Sequence, residues 1–161
     1  MTISVGDRIP AATLFEPGAS GPEKIATDAL FNGRKIVLVG MPGAFTPTCH
    51  NNHLPGFVEN RDAILAKGVD EIVVLSTNDT HVLRAWAEAS GGKGKVRFVS
   101  DGNTELITKA GLSFDGSGTG MGTRSRRFAM IVDDGVVTAL ALEEKAGQTA
   151  VSTAAQILEK L

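Results

Sequence analysis

Two short segments of the chain are apolar at nearly every position and are rich in β-branched residues. Residues 35–40 read Lys-Ile-Val-Leu-Val-Gly, and residues 71–76 read Glu-Ile-Val-Val-Leu-Ser. Continuous apolar runs of this kind are typical of central strands that are covered on both faces. A third strand is predicted over about residues 96–100. These strands predict a buried sheet at the centre of the fold.

Helices are predicted between and after these strands. The first covers about residues 47–67, is interrupted at Pro55-Gly56 and ends at Gly68. The second begins at Asn78-Asp79 and runs through Ser90, because Asn and Asp favour a helix N-terminus. Its predicted buried face consists of Val82, Leu83, Trp86 and Ala89. Shorter helices are predicted at about residues 104–110 and 150–161.

Two hairpins complete the predicted sheet. Residues 126–132 and 136–142 form apolar strands joined by Asp133-Asp134-Gly135, which is a hairpin turn sequence. An N-terminal β-hairpin is predicted at about residues 11–27, and the glycine-rich segment 114–122 is interpreted as one long surface loop. The order of elements predicts an α/β fold in which a mixed sheet carries helices on both faces. Residues 1–161 are expected to form a single domain.

Composition and charge limit the possible classes of function. The chain has 161 residues and a mass of 16.8 kDa, with 42% hydrophobic and 21% charged residues, as in ordinary globular proteins. A formal net charge of -2 and a pI near 5.9 argue against a nucleic-acid binder or a polybasic membrane binder. The longest apolar run, residues 36–45, is broken by Gly40, Pro42 and Gly43 and is too short to span a bilayer.

Cysteine usage and the N-terminal residues bear on the compartment. Cys49 is the single cysteine, so neither an internal disulfide nor a multi-cysteine zinc module can form. A lone thiol fits a reducing compartment. Residues 1–8 lack a basic segment followed by an apolar core, so no secretory signal is predicted. We therefore expect a cytoplasmic protein.

Candidate chemistry lies in residues 42–49, which read Pro-Gly-Ala-Phe-Thr-Pro-Thr-Cys and follow the first buried strand. Thr46 is predicted to be the N-cap of a helix that begins at Pro47, which places Cys49 in the third helical position. In a capping box this position holds a glutamate whose anion faces free backbone N–H groups. A thiolate at Cys49 would gain from the same amides and from the helix dipole.

The helix dipole stabilises a thiolate too weakly to explain a fast thiol enzyme by itself. The dipole supplies at most about 2 kcal/mol, so a cation is also expected near the sulfur. Arg124, Arg126 and Arg127 are the candidates. Lowering the pKa of a thiol from about 8.5 to about 6 raises its reactivity only a few-fold at neutral pH, because nucleophilicity falls as the thiolate fraction rises. Fixed donors must therefore also stabilise the leaving group.

At this point the residues resemble those of a known family. Residues 42–49 resemble the active-site signature of the type II (five-type) peroxiredoxins. Further segments resemble the family in the same order along nearly the full chain: residues 53–57, 76–79, 84–86, 124–129 and 132–137. The resemblance implies a thioredoxin-like fold and thiol-dependent reduction of hydrogen peroxide and alkyl hydroperoxides. It also implies a homodimer with its contact near the active site, and no metal, haem or flavin cofactor.

The resemblance also implies roles for individual residues. Cys49 matches the cysteine that attacks the peroxide and becomes a sulfenic acid. Thr46 matches the threonine whose hydroxyl contacts the thiolate and the peroxide, and Arg127 matches the arginine that stabilises the thiolate and the developing charge. Pro42 matches the proline that shields the pocket. These groups would supply the leaving-group donors that the rate argument requires.

The sequence departs from the family pattern at two positions. Val74 stands where many plant-type relatives carry a second, resolving cysteine. An external thiol, which is glutathione, glutaredoxin, thioredoxin or another small thiol, must therefore reduce the sulfenic acid. His50 follows Cys49 where a small polar residue is expected. Its effect is predicted to be modest, because adjacent residues do not face each other on a helix.

Less specific interpretations of the same residues stay open. Cys49 could be a small buried hydrophobic residue, Thr46 only a helix cap, and Arg127 a surface charge. His53 is interpreted as a satisfied core histidine in preference to a group that supports the site. A metal site at Cys49, His50 and His53 would lack a fourth ligand. The glycine-rich loop has no following Lys-Ser/Thr, so it is interpreted as a mobile loop and not as a phosphate site.

The competing function is a thiol-based redox sensor or chaperone whose oxidised Cys49 alters binding to a partner protein. The chain has no evident docking motif or tail for such a partner. A relative of the family that has lost peroxidase activity is a further alternative. The peroxidase is the favoured hypothesis.

Overall fold

A seven-stranded mixed sheet forms the centre of the structure, which is a computed structural model that describes all 161 residues. Its strands are β1 (Thr13–Gly18), β2 (Gly21–Ala26), β3 (Lys35–Gly40), β4 (Glu71–Ser76), β5 (Arg97–Ser100), β8 (Phe128–Asp133) and β9 (Val136–Leu142). Their spatial order is β2-β1-β5-β4-β3-β8-β9. Strands β3, β4 and β5 are parallel, whereas β1, β8 and their hairpin partners run antiparallel to their neighbours. The predicted mixed sheet and the N-terminal hairpin are confirmed.

Helices cover both faces of this sheet, as the sequence predicts. They are α1 (Thr27–Phe31), α2 (Leu54–Glu59), α3 (Arg61–Leu65), α4 (Thr80–Ala89), α5 (Glu105–Lys109) and α6 (Ala154–Lys160). Alternate residues of β3 point to opposite faces, so Ile36 and Leu38 pack with α1 and α5. Val37 and Val39 pack on the other face with α2, α4 and α6. Cys49 belongs to this second core.

The helical segment after β3 differs from the prediction. Residues Cys49–His53 form a π-helical turn, and α2 then continues through Pro55 and Gly56 without a break. Pro55 is tolerated because it lies at the start of α2, where a missing N–H costs little. The interruption instead falls at Asn60, whose side-chain amide donates to Gly56 O at 2.7 Å. The predicted end of the segment at Gly68 is confirmed by a φ of 92° there.

Other boundaries also shift. In α4 the predicted Leu83 and Trp86 are buried, but Ala89 is exposed and Ala87 takes its place. Helix α6 begins later than predicted, because Thr153 and Gln156 form a capping box in front of Ala154. The predicted surface loop at 114–122 is partly ordered into a ribbon of β6 (Ser113–Asp115) and β7 (Thr123–Ser125). Helix α1 was not predicted.

The end of β3 is shaped by a close contact with β8. Gly40 pairs with Phe128, and a Cβ atom on Gly40 would lie 2.1 Å from the Phe128 ring. The absence of a side chain therefore lets the ring lie across the strand end, just before the segment that carries the candidate chemistry. None of the helices is both long and apolar enough to cross a membrane.

Candidate active site

Residues 41–48 connect the end of β3 to the helical segment that carries Cys49. Met41 N–H donates to Leu75 O, and Ala44 N–H donates to the Asn78 side-chain oxygen at 2.8 Å. The helical conformation begins at Pro47, as predicted. Phe45 has a φ of 63°, which a bulky residue rarely adopts, so the hydrogen bonds around it hold a strained backbone.

The Thr46 hydroxyl makes a different contact from the one predicted. It donates to Gly43 O at 2.6 Å and does not accept a backbone N–H as a helix cap would. The main chain still marks the helix start, because Thr46 O accepts the N–H of His50 at 2.8 Å. With its proton committed to Gly43 O, the hydroxyl oxygen keeps free lone pairs that can accept a hydrogen bond in the adjacent pocket.

The Cys49 side chain is fully buried among apolar groups of the second core. It opens the π-helical turn, in which the N–H of Leu54 donates to Cys49 O. Single π-turns of this kind widen a helix locally and occur frequently at functional sites. Burial in hydrocarbon alone would favour the neutral thiol. The state of this sulfur therefore depends on the polar group that reaches it.

Arg127 is that group. Its guanidinium donates from Nη2 to Cys49 Sγ at 3.2 Å, although the side chain is only 2% exposed. Two further contacts fix its orientation: Nε donates to Ala146 O at 3.0 Å, and Nη1 lies 2.9 Å from His53 Nδ1. A cationic donor in a buried site stabilises an anionic sulfur over a neutral thiol.

The structure distinguishes among the three arginines that the sequence left as candidates. Arg124 donates from Nη1 to Pro42 O at 3.2 Å and from Nε to Met121 O at 2.8 Å. Arg126 donates to Glu143 O at 3.2 Å. Only Arg127 has a hydrogen bond to the sulfur. Arg124 instead ties the loop that carries Pro42 to the residues before β7.

His53 is a buried histidine with a partner at both ring nitrogens, as predicted, and the less favoured interpretation, that it supports the site, also agrees with its contacts. Its ring is 2% exposed, with Nε2 lying 2.8 Å from Ser152 O and Nδ1 next to Arg127. Because a carbonyl can only accept, Nε2 carries the proton and Nδ1 accepts from the guanidinium. Burial lowers the pKa of His53 to about 4, aided by the Arg127 charge and opposed by the Ser152 hydrogen bond and the Glu143 charge. The ring is thus a neutral support for Arg127.

His50 points to a different part of the structure. Its Nδ1 accepts the indole N–H of Trp86 at 3.0 Å, and its ring stacks on Phe45 with centroids 5.5 Å apart. Trp86 is fully buried, as predicted. The two histidines near Cys49 therefore have separate partners, and no cluster of three or more His, Cys, Asp or Glu with metal-binding geometry occurs in the structure.

A pocket of about 380 Å³ opens next to these groups. Pro42, Thr46 and Arg127 line it, which brings three of the predicted site residues together. The fourth, Cys49, is buried behind the lining and contacts the pocket residue Arg127. The opposite wall includes Phe114 and Met121, from the glycine-rich segment interpreted as a mobile loop. That segment thus forms part of the pocket, a role that its composition did not reveal.

A larger cavity, of about 450 Å³, lies beside α4. Its walls contain no cysteine, serine, threonine or histidine. Its charged groups are largely paired with each other, as in the contacts of Arg97 with Glu16 and of Lys93 with Glu88. Of these two cavities, only the smaller one lies beside a cysteine in contact with a buried cation, so it is the candidate active site.

Comparisons with known proteins agree with this site. The Redoxin family model matches residues 4–158. The chain is 47% identical to Peroxiredoxin-2E-2, chloroplastic, from Oryza sativa subsp. japonica, covering 99% of this chain and 73% of the relative. It is 42% identical to Peroxiredoxin-2B of Arabidopsis thaliana, covering 99% and 98% of the two chains.

A solved structure gives the same result. Reduced Prx3 of Vibrio vulnificus in complex with H₂O₂ superimposes with a TM-score of 0.93, at 41% identity and with 99% of each chain covered. The fold and the thiol site define a thiol-dependent peroxidase with a thioredoxin-like fold. The chain belongs to the peroxiredoxins, as a type II form that carries a single cysteine.

Proposed function

We propose that Cys49 is the residue that attacks the peroxide and that Pro42, Thr46 and Arg127 form the catalytic pocket around it. The observation that carries this assignment is the 3.2 Å hydrogen bond that Cys49 Sγ receives from Nη2 of Arg127, a residue that lines the pocket. This hydrogen bond places the cation that the sequence analysis requires next to the sulfur. The thiolate is the nucleophilic form of cysteine, so its stabilisation at neutral pH is the first step of catalysis.

The reaction balances with the groups present and one external reductant. The Cys49 thiolate attacks the terminal oxygen of ROOH, an S–O bond forms and the O–O bond breaks. Cys49 becomes a sulfenic acid, the sulfur is oxidised by two electrons, and the alkoxide or hydroxide leaves and takes a proton to become an alcohol or water. Arg127 can donate to the charge that develops on the two oxygens, because its guanidinium is fixed by Ala146 and His53.

Thr46 and Pro42 act on the bound peroxide. The Thr46 hydroxyl, oriented by Gly43 O, presents its lone pairs to the hydrogen of the hydroperoxide. Pro42 is buried and its carbonyl is held by Arg124, so its ring excludes water from one side of the pocket. Together these residues orient the O–O bond toward the sulfur, which lowers the entropic part of the barrier.

Regeneration requires a thiol from outside the chain. With Cys49 as the single cysteine, no intramolecular disulfide can form. An external thiolate condenses with the sulfenic acid, releases water and leaves a mixed disulfide. A second thiol then reduces that disulfide and restores Cys49. We assign glutathione with glutaredoxin, or thioredoxin, as the reductant, and alkyl hydroperoxides together with hydrogen peroxide as substrates.

We also propose a homodimer and a reducing compartment, the cytoplasm. Support for the dimer comes from Phe45, which is 48% exposed although it is aromatic and lies three residues from Pro42. A rigid exposed aromatic held by strained backbone beside a pocket is typical of a protein contact. Support for the compartment comes from the free thiol of Cys49, which needs reducing conditions to turn over.

The test is a steady-state peroxidase assay. Wild-type protein and Cys49→Ser are given hydrogen peroxide or cumene hydroperoxide with glutathione plus glutaredoxin, and separately with thioredoxin and its reductase. Sustained consumption by the wild type and none by Cys49→Ser is expected. One stoichiometric oxidation without recycling by any thiol would instead favour a redox sensor. Retained activity in Cys49→Ser would remove the assignment of the nucleophile.

A further inference from the structure

Glu143 is a buried carboxylate with an unusual set of partners. It directly follows β9 and is 3% exposed. Its Oε1 accepts the N–H of Ala150 at 3.0 Å. Its Oε2 accepts three hydrogen bonds, from Val151 N at 2.9 Å and from the Ser152 N and Oγ at 2.8 and 2.6 Å. No lysine or arginine side chain forms an ion pair with it.

These hydrogen bonds keep the group anionic. Burial alone would raise the pKa of Glu143, but the donors of Ser152, Val151 and Ala150 outweigh it and hold the pKa below its ordinary value. A buried carboxylate without a cation is costly unless such donors surround it. By accepting hydrogen bonds from Ala150, Val151 and Ser152, the Glu143 carboxylate closes the segment between β9 and α6 into a loop, residues 143–152.

That loop supplies the contacts that orient Arg127. Ala146 O accepts directly from Arg127 Nε. Ser152 O accepts from His53 Nε2, and His53 Nδ1 in turn accepts from Arg127 Nη1. The backbone N–H of Glu143 also donates to Arg127 O at 3.0 Å. Glu143 is thus bonded to the main chain of Arg127. Its carboxylate fixes the loop that makes one contact of the guanidinium directly, through Ala146, and supports a second one indirectly, through Ser152 and His53.

Little else in the loop can replace this carboxylate. The loop contains no helix or strand, and Lys145, Gly147 and Gln148 are exposed. The other internal bonds of its exposed part join Lys145 and Gln148 to each other. An arginine side chain has several rotatable bonds, so its aim at the sulfur depends on fixed acceptors behind it.

We propose that Glu143 is a positioning residue that aims Arg127 at Cys49 by ordering loop 143–152. This inference rests on the proposed function of Arg127 and extends it. The negative charge of Glu143 has a direct effect on the Cys49 thiolate that is opposite to this indirect one, because a buried anion disfavours a second anion nearby. Removing the charge of Glu143 without losing order would therefore make the thiolate easier to form. Losing the order would make it harder, and this difference in sign allows a decisive test.

The experiment compares Glu143→Gln with Glu144→Gln, a substitution at the adjacent exposed residue. The glutamine amide preserves the size of the side chain but replaces one of the two acceptor oxygens by an N–H₂ group that faces N–H donors. Iodoacetamide alkylation of Cys49 is measured against pH, and the rate of Cys49 oxidation by hydrogen peroxide is measured separately. For Glu143→Gln we expect the alkylation profile to move to higher pH and the oxidation to slow about tenfold. Glu144→Gln should match the wild type in both.

Two further variants keep the test decisive. Ser152→Ala removes only the hydroxyl donor, leaves its carbonyl on His53, and should shift both measurements in the same direction by about two- to threefold. This variant carries the test if Glu143→Gln does not fold. The double variant Glu143→Gln with His53→Gln should slow Cys49 oxidation by less than the product of the two single fold-changes, since both residues act through Arg127.

The outcomes separate this inference from the proposed function. A lower unfolding free energy for Glu143→Gln with an unchanged alkylation profile, or a profile moved to lower pH, would overturn the positioning role. Alkylation requires no peroxide, so it reports the sulfur's surroundings even if the wild type fails to turn over peroxide. Such a failure would overturn the proposed function alone.

Discussion

Protonation of His53 should make the protein labile in mild acid. The ring is neutral in the folded state, with one nitrogen donating to Ser152 O and the other accepting from Arg127. A proton on Nδ1 would replace the acceptor by a donor that faces a guanidinium, in a site that is 2% exposed. Replacement of His53 by glutamine removes the titrating group and leaves a side chain that can still hydrogen-bond.

The size of the effect follows from linkage between protonation and folding. The pKa of His53 is about 4 in the folded protein and 6.5 in an ordinary environment. Between these values the unfolded chain binds a proton that the folded chain does not, so stability falls as the pH decreases. The full difference corresponds to about 3 kcal/mol, present above pH 6.5 and lost as the pH approaches 4.

The assay is urea unfolding of the wild type and His53→Gln at several values between about pH 7.5 and pH 4.5, followed by the fluorescence of the single tryptophan. His81→Gln, at an exposed position, is the matched control. The stability advantage of the wild type over His53→Gln should shrink by up to about 3 kcal/mol toward acid, whereas His81→Gln should follow the wild type. Other buried carboxyl groups also titrate in acid: Glu143, and Asp101, whose pKa is raised by burial. Their contributions occur in both proteins and largely cancel in the difference. A wild-type advantage that is constant with pH would refute the neutral, buried assignment of His53.

Three further substitutions test other parts of the account. Arg127→Gln should move the alkylation profile of Cys49 to higher pH and slow its oxidation by at least about tenfold, with the surface variant Arg61→Gln unaffected. An unchanged profile for Arg127→Gln would contradict its contact with the sulfur. Thr46→Val removes the hydroxyl but keeps the shape of the side chain. It should slow oxidation of Cys49 by peroxide about tenfold or more and leave the alkylation rate nearly unchanged. Equal losses in both rates would show that Thr46 acts on the thiolate instead. Gly40→Ala should lower the free energy of unfolding by about 2 kcal/mol or more, because the new Cβ would overlap the Phe128 ring. Urea denaturation measures this change, and an unchanged free energy would show that the ring can move.

The elements that sequence patterns predict well are those set by local rules. The apolar runs of β3 and β4, the Asp134-Gly135 turn and the helix start at Pro47 each depend on a few neighbouring residues. The π-helical turn at Cys49 was not predicted, because such turns are rare insertions in α-helices and the capping pattern gives no sign of one.

Within the candidate site, the sequence predicts the residues that come together around the pocket, but not the groups that support them. The motif identifies Cys49 and Thr46, but it does not show that the Thr46 hydroxyl donates to Gly43 O. Arg127 could be separated from Arg124 and Arg126 only by the family resemblance until the fold placed it against the sulfur. His53 lies 74 residues from Arg127 in sequence, so no spacing rule links them. Long-range contacts of this kind are decided by the tertiary fold.

The most direct test of the central claim is the rate at which Cys49 reacts with hydrogen peroxide. Reduced protein is mixed with peroxide in a stopped-flow instrument, and intact mass confirms one added oxygen on the single cysteine. Because ionisation alone raises reactivity only a few-fold, a site that also stabilises the leaving oxygen must exceed the rate of a free thiolate by orders of magnitude. We expect such a rate, and we expect most of it to be lost in Arg127→Gln. A rate equal to that of an ordinary free thiolate would contradict it.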